Sequence, residues 1–82
     1  SGTITPSAVD GTVTITASNS IFSSSSVDQF IEVDNGFGRA RITRFNSATE
    51  VEAMVEIPFF DTDATSNFIL EKLHIWHTKP VV

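Results

Sequence analysis

Apolar and polar residues alternate along much of the chain with the period of two that is typical of β-strands. Over 11–17, three threonines alternate with Val13, Ile15 and Ala17. Over 50–57, three glutamates and a methionine alternate with four apolar residues. These apolar residues are Val51, Ala53, Val55 and Ile57. Each segment therefore predicts a strand with one face toward a core and the other toward water.

Two further strands are predicted between these segments, at 30–34 and 39–45. Asn35 and Gly36 separate them, and this pair favours a tight turn because both residues tolerate positive φ. The inward-facing residues of the two strands are expected to be Ile31, Val33, Ala40 and Ile42. Since 46–49 is a short connection, strands 39–45 and 50–57 are predicted to form an antiparallel hairpin.

The expected register of this hairpin pairs Phe45 with Glu50. It then sets Thr43 opposite Glu52, Arg41 opposite Met54 and Arg39 opposite Glu56. The outer face would carry an arginine–glutamate ladder worth a few tenths of a kcal/mol per pair, about the value of exposed ion pairs.

The rest of the chain is less regular. Residues 1–10 are interpreted as a leader or edge segment. The run Ser23–Ser26, followed by 27–29, is interpreted as the start of one helical turn with a serine N-cap and Asp28 near its N-terminus. Residues 59–67 follow the strand-ending Pro58 as a loop, and 68–77 predict a last strand with a bulge or two buried faces. We expect a single domain over 11–77 and a tail at 78–82 that continues into a longer parent chain.

The composition indicates the fold class. Eight Val, eight Ile and ten Thr stand against two Leu and six Ala, so β-branched residues dominate over good helix formers. We predict an all-β domain, a small antiparallel barrel or sandwich of about five to six strands.

The net charge of -5 argues against nucleic acid or an anionic membrane as a partner. The absence of cysteine excludes disulfides, thiolate zinc sites and a cysteine nucleophile. No apolar run approaches the length of a membrane span. The start at Ser1-Gly2 rather than at a methionine favours a domain cut from a longer protein over a processed chain, and whether Ser1-Gly2 is a cloning remnant is left open.

Two patterns suggest metals, and neither is specific. His74 and His77 lie three apart in a predicted strand, so they point to opposite faces and are interpreted as structural. The alternating oxygens of 61–67 are typical of a calcium loop, but the glycine at the sixth position is missing and Glu71 falls one residue short of the bidentate position. A polar turn is the preferred interpretation, and no metal or cofactor is expected.

Neither RNA binding nor catalysis is favoured. Residues 35–42 are superficially similar to an RNA-recognition strand, but Arg39 replaces the stacking aromatic residue and the helices of that fold are absent. Gly36 and Gly38 are better explained by a tight hairpin and a bulge. No serine lies in a nucleophile elbow, and the glutamates of 50–56 are spaced as solvating charges on one strand face.

Aromatic and charged residues give the candidate interaction surface. Aromatic side chains near the acidic loop at Asp61 and Asp63 form a patch for a partner or a glycan if they are exposed, and fill the core if they are buried. The candidate residues are Phe37, Arg39, Arg41, Glu52, Glu56, Phe59, Phe60 and Trp76.

Residues 11–57 resemble a recurring segment of bacteriophage virion proteins that is itself likened to the FCCH β-barrel domain of ubiquitin-activating enzymes. The first two blocks of that pattern are matched by Val13, Ile15, Thr16, Ala17, Ser18 and Phe22, and by Val27, Ile31 and Val33. The third block is matched by Gly38, Ala40, Ile42, Thr43, Phe45, Ser47, Thr49, Val51, Ala53 and Val55. The tryptophan-rich strand that follows in phage relatives is matched only loosely by 68–76.

The resemblance implies a non-enzymatic structural module of a phage tail or tail-associated protein, located in the virion and docked to neighbouring domains or subunits. No catalytic residue is carried over, because ubiquitin-activating chemistry belongs to other domains of those enzymes. The alternative is a receptor- or glycan-binding module with a host surface glycan as partner, and a more distant one is a hydrolase accessory domain. Homo-oligomerisation through the parent protein is left open.

Overall fold

The computed structural model describes residues 2–71. Its six strands are β1 (Ile4–Pro6), β2 (Thr12–Ala17), β3 (Phe30–Val33), β4 (Gly38–Ser47), β5 (Glu50–Ile57) and β6 (Phe68–Glu71). Two single-turn 3₁₀ helices, Ser24–Ser26 and Asp34–Gly36, lie in the connections. No helix within this part of the chain is long and apolar enough to cross a membrane.

All six strands belong to one antiparallel sheet with the order β1-β2-β5-β4-β3-β6. Its two edges approach each other where Ile4 of β1 meets Thr65, just before β6. The N–H of each residue donates to the carbonyl of the other at 2.9 Å. The sheet is therefore curled into a half-barrel, which confirms the predicted all-β fold and shows one curved sheet rather than two stacked ones.

The core lies on one face of the curled sheet, as the alternating pattern predicts. In β2 and β5 the aliphatic residues other than Ile57 are buried, and the threonines and glutamates face outward. The buried core residues are Ile4, Val13, Ile15, Ala17, Phe22, Ile31, Val33, Ala40, Ile42, Val51, Ala53, Val55 and Phe59. Each large aliphatic side chain removed from water contributes about 1.5–3 kcal/mol, so this face supplies most of the driving force for folding.

The predicted helical turn is present as a 3₁₀ turn over Ser24–Ser26, preceded by Ser23. The Ser23 N–H donates to the hydroxyl of Ser26 at 3.1 Å, and Ser26 is buried. The turn follows Phe22, which is only 5% exposed, so this segment is anchored to the core on its apolar side.

The predicted register of the β4–β5 hairpin is wrong at both ends. Ser47, not Phe45, lies opposite Glu50, which leaves a two-residue turn. Arg41 lies opposite Met54 as predicted. The other two predicted pairs are wrong. Glu52 lies opposite Arg44 instead of Thr43, and Arg39 lies opposite Ile57 instead of Glu56. Irregularities at three points of the ladder cause these differences, because a bulge adds an unpaired residue to one strand.

One bulge changes which side of the sheet a residue reaches. Ala40 pairs with Val55 but Arg39 pairs with Ile57, so an extra residue, Glu56, lies between the pairs on β5. Ile57, predicted to face inward, is 42% exposed. A shift of one residue moves a side chain to the other face of the sheet, which explains the difference.

The last strand is described only in part. Phe68 and Leu70 of β6 pack against the core, and Ile69 points away from it at 52% exposure. The predicted continuation to 77 and the tail at 78–82 lie outside the described residues. Within 1–10, the predicted edge segment contains the edge strand β1.

Candidate interaction surface

The antiparallel register brings three loops to one end of the half-barrel. Loop 34–37 joins β3 to β4, and loop 58–67 leads from β5 to β6, whose first residue pairs with the last residue of β3. Loop 7–11 leads into β2 and bonds to the same end, since the N–H of Phe59 donates to the carbonyl of Val9 at 3.0 Å. We call these three loops and the adjoining strand ends the aromatic end.

Exposed large apolar side chains are concentrated at the aromatic end. Among the described residues they are Val9, Phe37, Met54, Ile57, Phe60 and Ile69. Three of them lie in its loops, two lie at the adjoining ends of β5 and β6, and Met54 pairs with the first residue of β2. The opposite end carries 18–29 and 46–49, whose exposed residues are mainly serine and asparagine, with Asp28. The part of the half-barrel formed by residues 2–71 therefore has one apolar end and one polar end.

Phe59 and Phe60 divide between the core and the surface. Phe59 is 6% exposed, so it is a core residue and not part of an exposed aromatic patch. Phe60 is 75% exposed and stacks on Phe37, itself 66% exposed, with 6.1 Å between ring centroids and 30° between ring planes. Of the candidate aromatic residues, the structure thus brings Phe37 and Phe60 together at the surface. Trp76 lies outside the described residues.

Gly38 makes this arrangement possible. A Cβ at Gly38 would lie 2.5 Å from Cδ1 of Phe59 and 2.6 Å from Cγ2 of Val33, distances that side chains do not occupy. Gly38 pairs regularly with Val33, and the irregularity of the strand follows after Arg39, so the predicted bulge at Gly38 is wrong. The glycine is explained by the close packing of Phe59 on the sheet.

The turn before Phe37 is built from residues in the left-handed conformation. Asp34, Asn35 and Gly36 have φ of 53°, 60° and 97°. Asparagine, aspartate and glycine are the residues that tolerate this region, so the predicted Asn35-Gly36 turn is confirmed. The turn reverses the chain and leaves Phe37 outside the core.

Three carboxylates accompany the aromatic pair. Asp34, Asp61 and Asp63 line a shallow cavity of about 30 Å³ with Phe60, over a floor of buried core residues. None of the lining residues within 2–71 is basic. A second depression of the same size, lined by residues that include Glu32 and Ile69, opens at the same end. Cavities of this volume hold about one or two waters, so a larger partner would lie across the surface.

The arginines of the candidate surface are held by the chain itself. Arg39 lies 4.1 Å over the ring of Phe30 and reaches Glu32 at 3.5 Å and Glu56 at 3.3 Å. Its Nε is buried and makes no hydrogen bond to any described group, so its contact with Glu56 is electrostatic. The expected Arg39–Glu56 contact is therefore present in spite of the shifted register.

The remaining charged candidates also have neighbours on the outer face. Arg41 pairs with Asp28 at 3.1 Å, and half-buried Glu52 lies opposite Arg44. Since Arg39 and Arg41 are already paired, these residues act as part of the sheet and offer little free charge to a partner.

The oxygens of the calcium-like stretch serve the loop itself. Asp61 accepts from the N–H of Asp63 at 3.0 Å, and Thr65 Oγ1 accepts from the N–H of Asn67 at 3.1 Å. Within residues 2–71, no three histidine or acidic side chains are grouped as metal ligands. His74 and His77 lie outside the described residues.

Several members of the aromatic end were not predicted. Asp34 joins the other two carboxylates only because the turn folds beside loop 58–67, and no local signal gives that proximity. Val9, Ile57 and Ile69 are ordinary core or edge residues by the sequence pattern.

Comparison of the chain with protein-family models, with curated proteins and with solved structures gave no match in any of the three.

Proposed function

We propose that this chain is a non-enzymatic interaction module of a bacteriophage tail or tail-associated virion protein. It docks onto neighbouring domains or subunits through the aromatic end. The observation that carries the docking proposal is the concentration of exposed apolar side chains there, because clustered apolar surface is typical of protein contact sites.

The resemblance of residues 11–57 to virion segments supports the assignment to a phage particle. Many of the positions that carry it, among them Ile15, Ile42 and Val51, are fully buried in the half-barrel. Such positions specify a scaffold rather than a reactive site, which is in keeping with a structural role.

Mass spectrometry of purified phage particles from a culture that produces this chain tests the assignment. We expect its peptides in the particles, and antibodies against the chain should label the tail. Peptides found only in the particle-free fraction would contradict it.

A matched pair of variants tests docking. Phe37→Ser with Phe60→Ser removes the exposed ring pair without opening the core, so folding should be retained while incorporation into particles falls. Ser20→Ala with Ser24→Ala makes two changes at the polar end and should incorporate normally. Equal incorporation of both variants would contradict docking through the aromatic end.

Glycan binding is the second candidate, favoured by the stacked, exposed rings beside carboxylates that accept hydrogen bonds from sugar hydroxyls. Calorimetric titration with a panel of host surface glycans distinguishes the two functions. A saturable heat of binding with the unmodified chain that is absent with the Phe37→Ser, Phe60→Ser variant would establish glycan recognition. No heat with any glycan of the panel would exclude it.

A further inference from the structure

We propose that the partner of the aromatic end presents an arginine or lysine side chain flanked by apolar residues. The inference rests on the proposed docking function and adds the chemistry of the partner. It follows from the charges around the apolar patch and from an arrangement that the chain already uses elsewhere.

The charges at the aromatic end are uncompensated within the described residues. No ion pair joins Asp34, Asp61 or Asp63 to another described residue, and each of the three lines the cavity beside Phe60. Arg39 and Arg41 are held by neighbouring carboxylates. An apolar surface edged by three carboxylates therefore selects a partner that is apolar and cationic.

The chain already holds one cationic side chain in a comparable arrangement. Arg39 lies over the ring of Phe30 and between Glu32 and Glu56. The aromatic end has a similar set of groups, the ring of Phe60 with three aspartates around the same cavity, and among the described residues no basic side chain lines that cavity. A guanidinium placed over Phe60 would gain a contact with the ring and charge-assisted hydrogen bonds to the aspartates.

Other occupants fit the charges less well. A second copy of the chain carries the same net charge of -5, so the two copies repel each other overall. Nucleic acid is repelled for the same reason. A protein surface with an exposed basic residue is thus the occupant that the observations favour.

The test is a titration of the ¹⁵N-labelled chain with short peptides, followed by the amide signals in NMR spectra. The probe is acetyl-Gly-Leu-Arg-Leu-Gly-amide. The matched peptide has citrulline, a neutral group of the same shape, in place of arginine. We expect saturable shifts at the amides of loops 34–37 and 58–67 with the arginine peptide. The affinity for the citrulline peptide should be at least fivefold lower.

Two charge-matched variants locate the contact. Asp61→Asn with Asp63→Asn removes two charges at the aromatic end and keeps an oxygen that accepts the N–H of residue 63. Glu50→Gln with Glu52→Gln removes two charges from the outer face of β5. Because two exposed charge pairs with the peptide are lost, the first variant should bind the arginine peptide about twofold to thirtyfold more weakly. The second should bind it unchanged.

Several results would overturn the inference. These are equal binding of the two peptides, equal loss in the two variants, no saturable shift with the arginine peptide, or the same shifts produced by calcium chloride or by a glycan alone. A dispersed spectrum of each variant verifies that it is folded. Because the titration does not involve the particle, its failure is distinct from the absence of the chain from virions.

Discussion

Gly38 links the core to the candidate surface at the scale of a single residue. The missing side chain lets Phe59 pack against the sheet, and the next residue, Phe60, then projects outward. The N–H of Phe59 also bonds to Val9, so the same position ties loop 7–11 to the aromatic end. The space left by Gly38 is thus used by the residue that joins loops 7–11 and 58–67.

We expect Gly38→Ala to destabilise the fold by about 1–3 kcal/mol, the usual cost of overpacking a core. Urea denaturation measures this free energy of unfolding. Phe59→Leu in the same chain should recover part of the loss, because the two residues compete for one space. Strictly additive effects would contradict the steric explanation.

Arg39 is a second residue whose role is defined by its contacts. Lysine keeps its charge but lacks the planar group that lies on Phe30. We expect Arg39→Lys to cost about 0.5–1 kcal/mol in urea denaturation, while Arg44→Lys, at an exposed site, changes little. Equal effects of the two substitutions would show that the ring contact contributes nothing.

At the scale of elements, the strands follow from the alternating pattern, and their pairing depends on turns and bulges. Sequence predicted β2, β3 and β5 nearly residue by residue, because buried aliphatic residues alternate cleanly there. It missed the exposure of Ile57 and the partners of Arg39, because a bulge comes from the packing of whole strands and leaves no local signal. The group of three carboxylates at the aromatic end was predicted only in part, because Asp34 and Asp61 come near each other only in the folded structure.

The turn Asp34–Gly36 is the element that sets loop 34–37. Asn35 has φ 60°, a conformation that costs alanine roughly 1–2 kcal/mol. Asn35→Ala should therefore lower the free energy of unfolding by about 1 kcal/mol, while Asn35→Gly should leave it unchanged or raise it. Thermal unfolding followed by circular dichroism tests the order, and an alanine variant as stable as the glycine variant would contradict it.

At the scale of the whole molecule, the curl of the sheet depends on the contact between its edges. Ile4 is 1% exposed and exchanges two backbone hydrogen bonds with Thr65. This contact fixes loop 58–67, and with it Phe60 and the two aspartates, against β1. The contact that closes the curled sheet therefore also positions the aromatic end.

Ile4→Ala tests this coupling. The buried position predicts a loss of about 2–5 kcal/mol, whereas Val9→Ala, at a residue 37% exposed, should change the free energy of unfolding by less than about 0.5 kcal/mol. Hydrogen exchange should also become faster at Thr65 in the Ile4→Ala variant. Unchanged exchange at Thr65 would show that the edge contact does not depend on the core side chain.

We propose the aromatic end as the surface that meets a partner. Hydroxyl-radical footprinting of the chain, alone and inside purified particles, tests it most directly because oxidation of phenylalanine reports ring exposure. Phe37 and Phe60 should be oxidised in the isolated chain and protected in the particle, while the polar end at 18–29 reacts alike in both. Protection of the polar end with Phe37 and Phe60 still exposed would contradict it.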